Sequence, residues 1–90
     1  PLTLGTIKLA EELTKSKYYK EVFTPQVGAI VVAVTRGPTH GHTGIQGKYQ
    51  IMSNNSENGL WQAYYTTQSW NKYFVGILKL KNRYFIRTVY

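Results

Sequence analysis

The sequence predicts an α+β fold, in which an N-terminal helix packs on a small, mostly antiparallel sheet of four to six strands, with a short helix between the later strands. Three observations lead to this class. Apolar residues recur at helical spacing near the N-terminus, a β-branched run follows, and short alternating segments separated by polar turns fill the rest. The chain has 90 residues, so residues 1–90 are expected to form one domain with a single core.

The first element is a helix, predicted to begin near Thr6, which can cap it, and to run to about Tyr19. Its apolar positions are spaced by three and four, which is the pattern of one buried helix face. They are Ile7, Leu9, Ala10, Leu13 and Tyr18. The acidic residues of this segment lie early and its lysines late, as the helix dipole favours. The helix is expected to end before Pro25.

The run from residue 27 to residue 34 is nearly all apolar and rich in β-branched residues, which predicts a central strand buried on both faces. A turn-rich loop at 35–39 follows. Two short strands are then expected at 43–46 and 49–53, joined by a tight turn at Gln46-Gly47-Lys48.

The second half of the chain is less regular. Residues 54–59 are expected to form a polar loop, and residues 60–65 an aromatic segment of undetermined type. A short helix from Thr66 or Thr67 through Phe74 is predicted next. The last strands are expected at about 77–80 and 84–89, on either side of a turn at Lys81-Asn82.

The chain is strongly basic. Eleven Lys and Arg residues against four acidic residues give a formal net charge of +7. Such a field attracts nucleic acid, anionic lipid or phosphate-rich wall polymers, although surface lysines that only keep a small domain soluble give the same balance. The residues Lys79, Lys81, Arg83 and Arg87, interleaved with Tyr84, Phe85 and Tyr90, also fit a single-stranded nucleic-acid platform. No known nucleic-acid motif accompanies them.

The chain contains no cysteine, which removes disulfides, zinc-thiolate sites and thiol catalysis from these 90 residues. No apolar run approaches the roughly 18 residues that a membrane span needs, and the first residues lack the pattern of a signal peptide. We therefore expect a soluble chain with no membrane span. Its compartment does not follow from the sequence.

One stretch, from His40 to Ser56, is suited to chemistry more than to packing. It places a histidine at the head of one predicted strand and a run of small polar residues at the end of the next. A base and the amide or hydroxyl that orients its ring are often brought together in this way, because imidazole titrates near neutral pH. What the stretch lacks is a nucleophile.

Three motifs occur in a characteristic order: Pro25-Gln26-Val27-Gly28-Ala29-Ile30-Val31-Val32, then Gly41-His42-Thr43-Gly44-Ile45, then the stretch from Ile51 to Trp61, followed by Tyr65-Thr66, Ser69-Trp70 and Tyr73. This order resembles the NlpC/P60 and CHAP superfamily of cell-wall hydrolases, many of them phage endolysins or bacterial autolysins with a papain-like core. The resemblance covers about residues 22–87. Ala29 stands where the family usually has an acid.

By this resemblance, His42 is the catalytic base, and Ser53 or Asn55 is the polar residue that orients its ring. In the family, a cysteine at the start of a buried helix attacks an amide carbonyl of the peptidoglycan stem peptide or cross-bridge. The helix predicted at 6–19 matches the family's second helix. The cysteine-bearing segment is therefore expected to be missing from the N-terminal side. Either an upstream segment or a partner chain supplies the cysteine, or the domain is degenerate and lacks it.

Three functions remain open from the sequence, two of them at the cell wall. The chain is either a peptidoglycan peptidase or amidase domain that is inactive as given, or a non-catalytic module that binds the cell wall. The alternative from another class is a basic, aromatic nucleic-acid-binding domain. A serine nucleophile at Ser53 is not favoured, because nothing indicates an oxyanion hole beside it.

The surroundings of the candidate base also allow more than one interpretation. The candidate groove residues are His40, Asn54, Trp61 and Trp70, with Tyr64, Tyr65 and Tyr73 as further aromatic residues. These aromatic residues line a groove or simply pack in the core. His40 and His42 form a His-x-His pair, but catalytic zinc sites have three protein ligands and the only nearby acid is Glu57, so no metal or cofactor is predicted.

Overall fold

In the computed structural model, which describes residues 5–54 and 60–88, six strands form one antiparallel sheet. The strands are β1 (Tyr19–Val22), β2 (Ile30–Val34), β3 (His42–Gln46), β4 (Gln50–Asn54), β5 (Trp61–Thr66) and β6 (Lys81–Arg87). Their spatial order is β1-β6-β2-β3-β4-β5. The predicted α+β class with a mostly antiparallel sheet is confirmed.

The sheet has one hydrophobic core on each face. On one face, helix α1 (Gly5–Lys15) packs Ala10 and Leu13 against the sheet. On the other face lie helix α2 (Thr67–Trp70) and a π-helical segment (Asn71–Ile77). The core beneath α1 also contains Val32 and Phe85 from the sheet. The core on the other face consists of Val31, Ala33, Ile51, Trp70, Phe74 and Leu80. Strand β2 is therefore buried on both faces, as its apolar run predicted.

Helix α1 ends at Lys15, earlier than predicted, and Tyr19–Val22 form the edge strand β1 instead. Tyr18, expected on the buried face, is 50% exposed. Thr6 does not cap the helix. It lies in the first turn, where its hydroxyl accepts the N–H of Thr35 at 2.7 Å. The spacing of apolar residues could not reveal that α1 ends at Lys15, because β1 forms only through pairing with β6, far away in sequence.

Strand β2 begins at Ile30, three residues later than the apolar run suggested. Gly28 precedes it with a φ of +87°, a left-handed conformation that glycine tolerates and β-branched residues do not. Val27 is consequently outside the strand and 73% exposed. The loop after β2 contains the expected turn, with Arg36 and Thr39 paired across Gly37.

The hairpin of β3 and β4 is confirmed close to its predicted bounds, and the N–H of Gly47 donates to Gln50 O at 2.7 Å in the turn. The aromatic segment of undetermined type is strand β5. Thr66 caps α2, since its hydroxyl accepts from Ser69 N at 3.0 Å while its own N–H donates to the Ser69 hydroxyl at 2.9 Å. None of the described helices is long and apolar enough to cross a membrane.

A single strand, β6, replaces the two predicted C-terminal strands. It runs straight through Lys81 and Asn82, where a turn was expected, and pairs with both β1 and β2. The prediction of a strand at 77–80 was wrong, because Ile77 ends the π-helical segment and Lys79 makes the turn with a φ of +58°. Alternation along so short a segment does not distinguish a strand from the irregular end of a helix.

Candidate functional site

A cleft of about 850 Å³ opens on the face of the sheet opposite α1, where β3 begins and β4 ends. Ile45 of β3 pairs with Met52 of β4, so Gly44 lies opposite Ser53. His42 is two residues from Gly44 on β3, so its side chain is on the same face of the sheet as that of Ser53. The side chains of His42 and Ser53 therefore share one face and one cleft, as the sequence predicted. The described lining is His40, Gly41, His42, Ser53, Asn54, Tyr64, Tyr65, Ser69, Tyr73, Phe74 and Leu78.

Two glycines explain how β3 lies so close to its neighbours on either side of His42. A Cβ atom at Gly44 would lie 2.6 Å from the Ile51 Cγ2 atom and 2.6 Å from the Met52 carbonyl oxygen. A Cβ atom at Gly41 would overlap the carbonyl oxygen of Ala33. The Gly-His-Thr-Gly motif is thus first of all a packing requirement, because only residues without a side chain fit at these two positions.

The ring of His42 is stacked on two aromatic side chains of the opposite layer. Its centroid lies 5.7 Å from that of Trp70, at an interplanar angle of 30°, and 5.9 Å from that of Phe74, at 20°. Burial lowers the pKa of His42 below its ordinary value of 6.5, and a hydrogen bond with the backbone of Asn54 partly opposes this shift. The imidazole is therefore held neutral at neutral pH, which is the form that accepts a proton.

The rings under His42 are themselves fixed by a small polar network. The indole N–H of Trp70 donates to Asn82 Oδ1 at 3.1 Å, and Asn82 Nδ2 donates to Asn71 Oδ1 at 2.8 Å. Asn82 Nδ2 also lies 3.3 Å from the hydroxyl of Tyr84. Trp70 is fully buried. A β6 residue thereby sets the position of the surface on which the candidate base rests.

The predicted orienting residues are only partly brought to His42. Ser53 is 1% exposed and lines the cleft, but among the described residues its hydroxyl has no hydrogen-bond partner. The predicted bond from Ser53 to the imidazole is therefore not formed. Asn55 lies outside the described residues.

The predicted groove residues divide in two. His40 and Asn54 are exposed and line the cleft. The prediction for Trp70 as a groove wall was wrong, because its ring is fully buried beneath His42. Trp61 is 53% exposed on β5, paired with Asn54, but is not part of the described lining.

Three tyrosines form much of the cleft wall instead, together with two residues to which the sequence analysis gave no role in the site. Tyr64 and Tyr73 are 63% and 42% exposed, and burial raises the pKa of Tyr65, which keeps its hydroxyl protonated. Phe74 and Ser69 were missed. The spacing of four between Trp70 and Phe74 was the available signal, since it places both rings on one face of a helix.

The cleft is electrically neutral. Its described lining contains no Asp, Glu, Lys or Arg side chain. Within residues 5–54 and 60–88, no three His, Cys, Asp or Glu side chains come together as metal ligands. Neither cleft serine is an activated nucleophile, since Ser53 is not bonded to the imidazole, and the hydroxyl of Ser69 accepts from Thr66 N and donates to Thr66 O.

The nucleic-acid platform suggested by the C-terminal residues is not formed as predicted. The ring of Phe85 is fully buried under α1. Arg83 makes a two-pronged ion pair with Glu21, at 2.8 Å from Nε and 2.7 Å from Nη2, so it is not an unopposed cation. Tyr90 lies outside the described residues. Alternation along β6 places the remaining charged and aromatic residues on different faces.

A scan of protein-family models found no match to this chain, and searches of curated proteins and of solved structures found none either. What the site can do therefore follows from its own residues and geometry. Those residues provide a neutral base, an aromatic wall and several hydroxyl and amide groups around an uncharged cleft.

Proposed function

We propose that the chain is the part of a peptidoglycan peptidase or amidase of the NlpC/P60 or CHAP kind that carries the catalytic base, His42, but not the nucleophile. One observation carries the proposal: His42 stands at the head of β3, kept neutral by burial, with its ring held from below and an open cleft beside it. A base that is needed at neutral pH has to be unprotonated before the reaction begins.

The character of the cleft supports a peptide substrate over a polyanion. Its described lining has no cation, whereas nucleic acid and phosphate polymers need several. Tyrosine hydroxyls, the Asn54 side chain and the rings of Tyr64 and Tyr73 match the alternating amide and aliphatic groups of a wall stem peptide. The basic charge of the chain would act at longer range, by drawing it to an anionic wall.

Hydrolysis would need a thiol from outside these 90 residues, because they contain no cysteine. In that arrangement a cysteine of another segment or a partner chain would sit in the cleft. His42 would take the thiol proton as the sulfur attacks the amide carbonyl, and would return a proton to the leaving amine. A water molecule, deprotonated by His42, would then cleave the resulting thioester, and the proton would return to the sulfur. No cofactor has a role in this chemistry.

A second candidate function, a non-catalytic wall-binding module, is favoured by one specific observation, the absence of cysteine from the chain. Such a module would bind the wall in the same cleft without cleaving it. Both candidates predict that the 90-residue chain alone binds peptidoglycan without releasing new amino groups from it. The nucleic-acid alternative has less support, because Phe85 is buried and Arg83 is paired with Glu21.

The test is co-sedimentation of the chain with purified peptidoglycan that has been stripped of anionic polymers, alongside capture on single-stranded DNA. We expect Tyr73→Ala to weaken peptidoglycan binding, because Tyr73 forms an exposed part of the cleft wall. The matched control is Tyr18→Ala, since Tyr18 is similarly exposed on the α1–β1 connection. The paired change Lys79→Gln and Lys81→Gln should leave peptidoglycan binding intact. DNA capture without peptidoglycan binding would overturn the proposal.

A further inference from the structure

A base that takes up a proton becomes a cation, and the cleft around His42 offers no negative charge to stabilise one. Its described lining includes no Asp or Glu side chain, and the hydroxyl of Ser53 is not bonded to the imidazole. In hydrolases with a Ser-His-Asp triad, a buried carboxylate beside the histidine stabilises the imidazolium that forms during the reaction. Stabilisation of protonated His42 therefore has to come from other groups around its ring.

The imidazole of His42 lies against two aromatic rings. Its centroid is 5.7 Å from that of Trp70 and 5.9 Å from that of Phe74. The interplanar angles are 30° and 20°, so both pairs are stacked and neither is edge-on. An aromatic face carries the negative part of the ring quadrupole and attracts a cation within about 6 Å of its centroid. Both rings therefore attract an imidazolium more strongly than a neutral imidazole.

The two rings are fixed in the core and removed from water. Trp70 is fully buried, Phe74 is 5% exposed, and their centroids are 4.6 Å apart. The indole N–H of Trp70 donates to Asn82 Oδ1 at 3.1 Å, and Tyr65 packs on the indole at an interplanar angle of 82°. Because the rings are buried and fixed, their attraction for a cation is stronger here than at an exposed site.

The other groups around the imidazole offer little to a positive charge. The titratable side chains in the described lining are His40 on β3, Tyr64 and Tyr65 on β5, and Tyr73 on the π-helical segment. Neither histidine nor tyrosine carries a negative charge at neutral pH. Lys72, the cation of the π-helical segment, is exposed and outside the described lining. A hydrogen bond with the backbone of Asn54 is the other interaction that favours the charged imidazole.

We propose, on the basis of the role of base assigned to His42, that the ring faces of Trp70 and Phe74 stabilise its protonated form. Both residues act through His42 and are therefore positioning residues. They take the role that a carboxylate has in a triad, with a weaker attraction, because a ring quadrupole attracts a cation less than a full negative charge does. Since burial disfavours the cation while the ring faces favour it, His42 is neutral before the reaction and still able to hold a proton during it.

The experiment varies the electron density of the Trp70 ring with little change in its shape. Tryptophan that carries one, two or three fluorine atoms is incorporated into a Trp61→Phe chain, in which Trp70 is the only tryptophan. Fluorine withdraws electron density from the indole face and weakens its attraction for a cation. NMR titration of the imidazole protons should show the pKa of His42 falling with each fluorine, by about half a pH unit across the series. The titration curve of His40, an exposed imidazole, should not move with fluorine content.

A pair of core variants separates the effect of a ring face from that of packing in general. Phe74→Leu removes one of the two faces and keeps an apolar side chain in the core, so the pKa of His42 should fall. The matched control is Phe85→Leu, because Phe85 is also buried but lies in the core beneath α1, on the other face of the sheet. This change should lower the melting temperature without moving the pKa of His42.

The pKa of His42 is measured without peptidoglycan, so failure of the ring contact and failure of the proposed function can be told apart. A pKa that falls with fluorine content supports the inference whether or not the chain binds a stem peptide. The inference is overturned, even where stem-peptide binding is observed, if the pKa stays constant or rises across the series. It is also overturned if Phe74→Leu and Phe85→Leu shift the pKa equally.

Discussion

The imidazole of His42 lies on the indole of Trp70, with ring centroids 5.7 Å apart, and that indole is fully buried and bonded through its N–H to Asn82. The candidate base is therefore fixed to the hydrophobic core and not to a mobile loop. Functional groups held by packed rings keep their geometry without a partner side chain. This relationship explains why neither Ser53 nor another hydroxyl is needed to hold the ring, and it leads to the first two predictions.

Burial of His42 should make the stability of the protein depend on pH. The unfolded chain takes up a proton at this residue near pH 6.5, while the folded chain resists protonation because its pKa is lower. The unfolded state therefore binds more protons as the pH falls below 6.5, so the free energy of unfolding decreases until the folded pKa is reached. Above 6.5 the contribution is complete. Urea unfolding at about pH 7.5 and about pH 5.5 measures the difference.

The matched pair of variants for this prediction is His42→Gln and His40→Gln. The first removes the buried imidazole and should flatten the pH dependence. The second removes an exposed imidazole and leaves His42 in place, so the dependence should persist. If the free energy of unfolding of His42→Gln still changes with pH as it does in the unaltered chain, groups other than His42 cause the dependence.

Asn82 should be essential to the packing beneath the base. In Asn82→Ala, the indole N–H of Trp70 and the Oδ1 atom of Asn71 lose their partner. Leaving buried polar groups unpaired costs about 1–3 kcal/mol each, so the free energy of unfolding should fall by a few kcal/mol. Asn82→Asp, which keeps the acceptor for Trp70, should restore the indole N–H resonance. Loss of that resonance in both variants would contradict the assigned bond.

The α+β class, the buried strand β2 and the β3–β4 hairpin could be predicted from the sequence, because each depends on local patterning. Strand β1 could not, since it exists only through pairing with β6. The turn expected at Lys81-Asn82 was also wrong, because two neighbouring strands keep β6 extended through those residues. Long-range pairing overrides weak local preference at edges and chain ends.

Gly44 should tolerate no side chain. Gly44→Ala brings a Cβ atom within 2.6 Å of backbone and side-chain atoms of β4, and overpacking of this kind costs about 1–3 kcal/mol. The control is Gly5→Ala in α1, where no atom lies within 4 Å of the added group. That change should leave stability equal or slightly higher, because alanine favours helix. Thermal unfolding compares the two, and equal melting temperatures would contradict the close approach of β3 and β4.

The ion pair of Glu21 and Arg83 should make the free energy of unfolding decrease at acidic pH. The hydrogen bonds from Arg83 hold the pKa of Glu21 below its ordinary 4.5. The stabilisation is therefore complete above pH 4.5 and is lost as the pH falls towards the folded value, because the unfolded chain protonates first. Glu21→Gln should lower the free energy of unfolding at neutral pH by about 1 kcal/mol. Glu11→Gln, in exposed α1, is the control and should have little effect.

The sequence placed His42 at the head of one strand and Ser53 near the end of the next, where the structure also has them, but it did not predict their contacts. The pattern of a histidine at one strand head and polar residues at the next strand end depends only on the hairpin register, which local residues set. The burial of Trp70 depends on how the α2 layer packs across the sheet. Spacing along one element cannot report a contact between layers.

The proposal for His42 is tested most directly by titrating the chain with a soluble peptidoglycan stem peptide while following the imidazole resonances of His42 and the ring resonances of Tyr73. The predicted result is a saturable shift of both, accompanied by a change in the pKa of His42 and absent from Tyr73→Ala. The proposal would be contradicted if the stem peptide left the resonances of both residues unchanged while single-stranded DNA shifted the resonances of residues around Lys79 and Lys81.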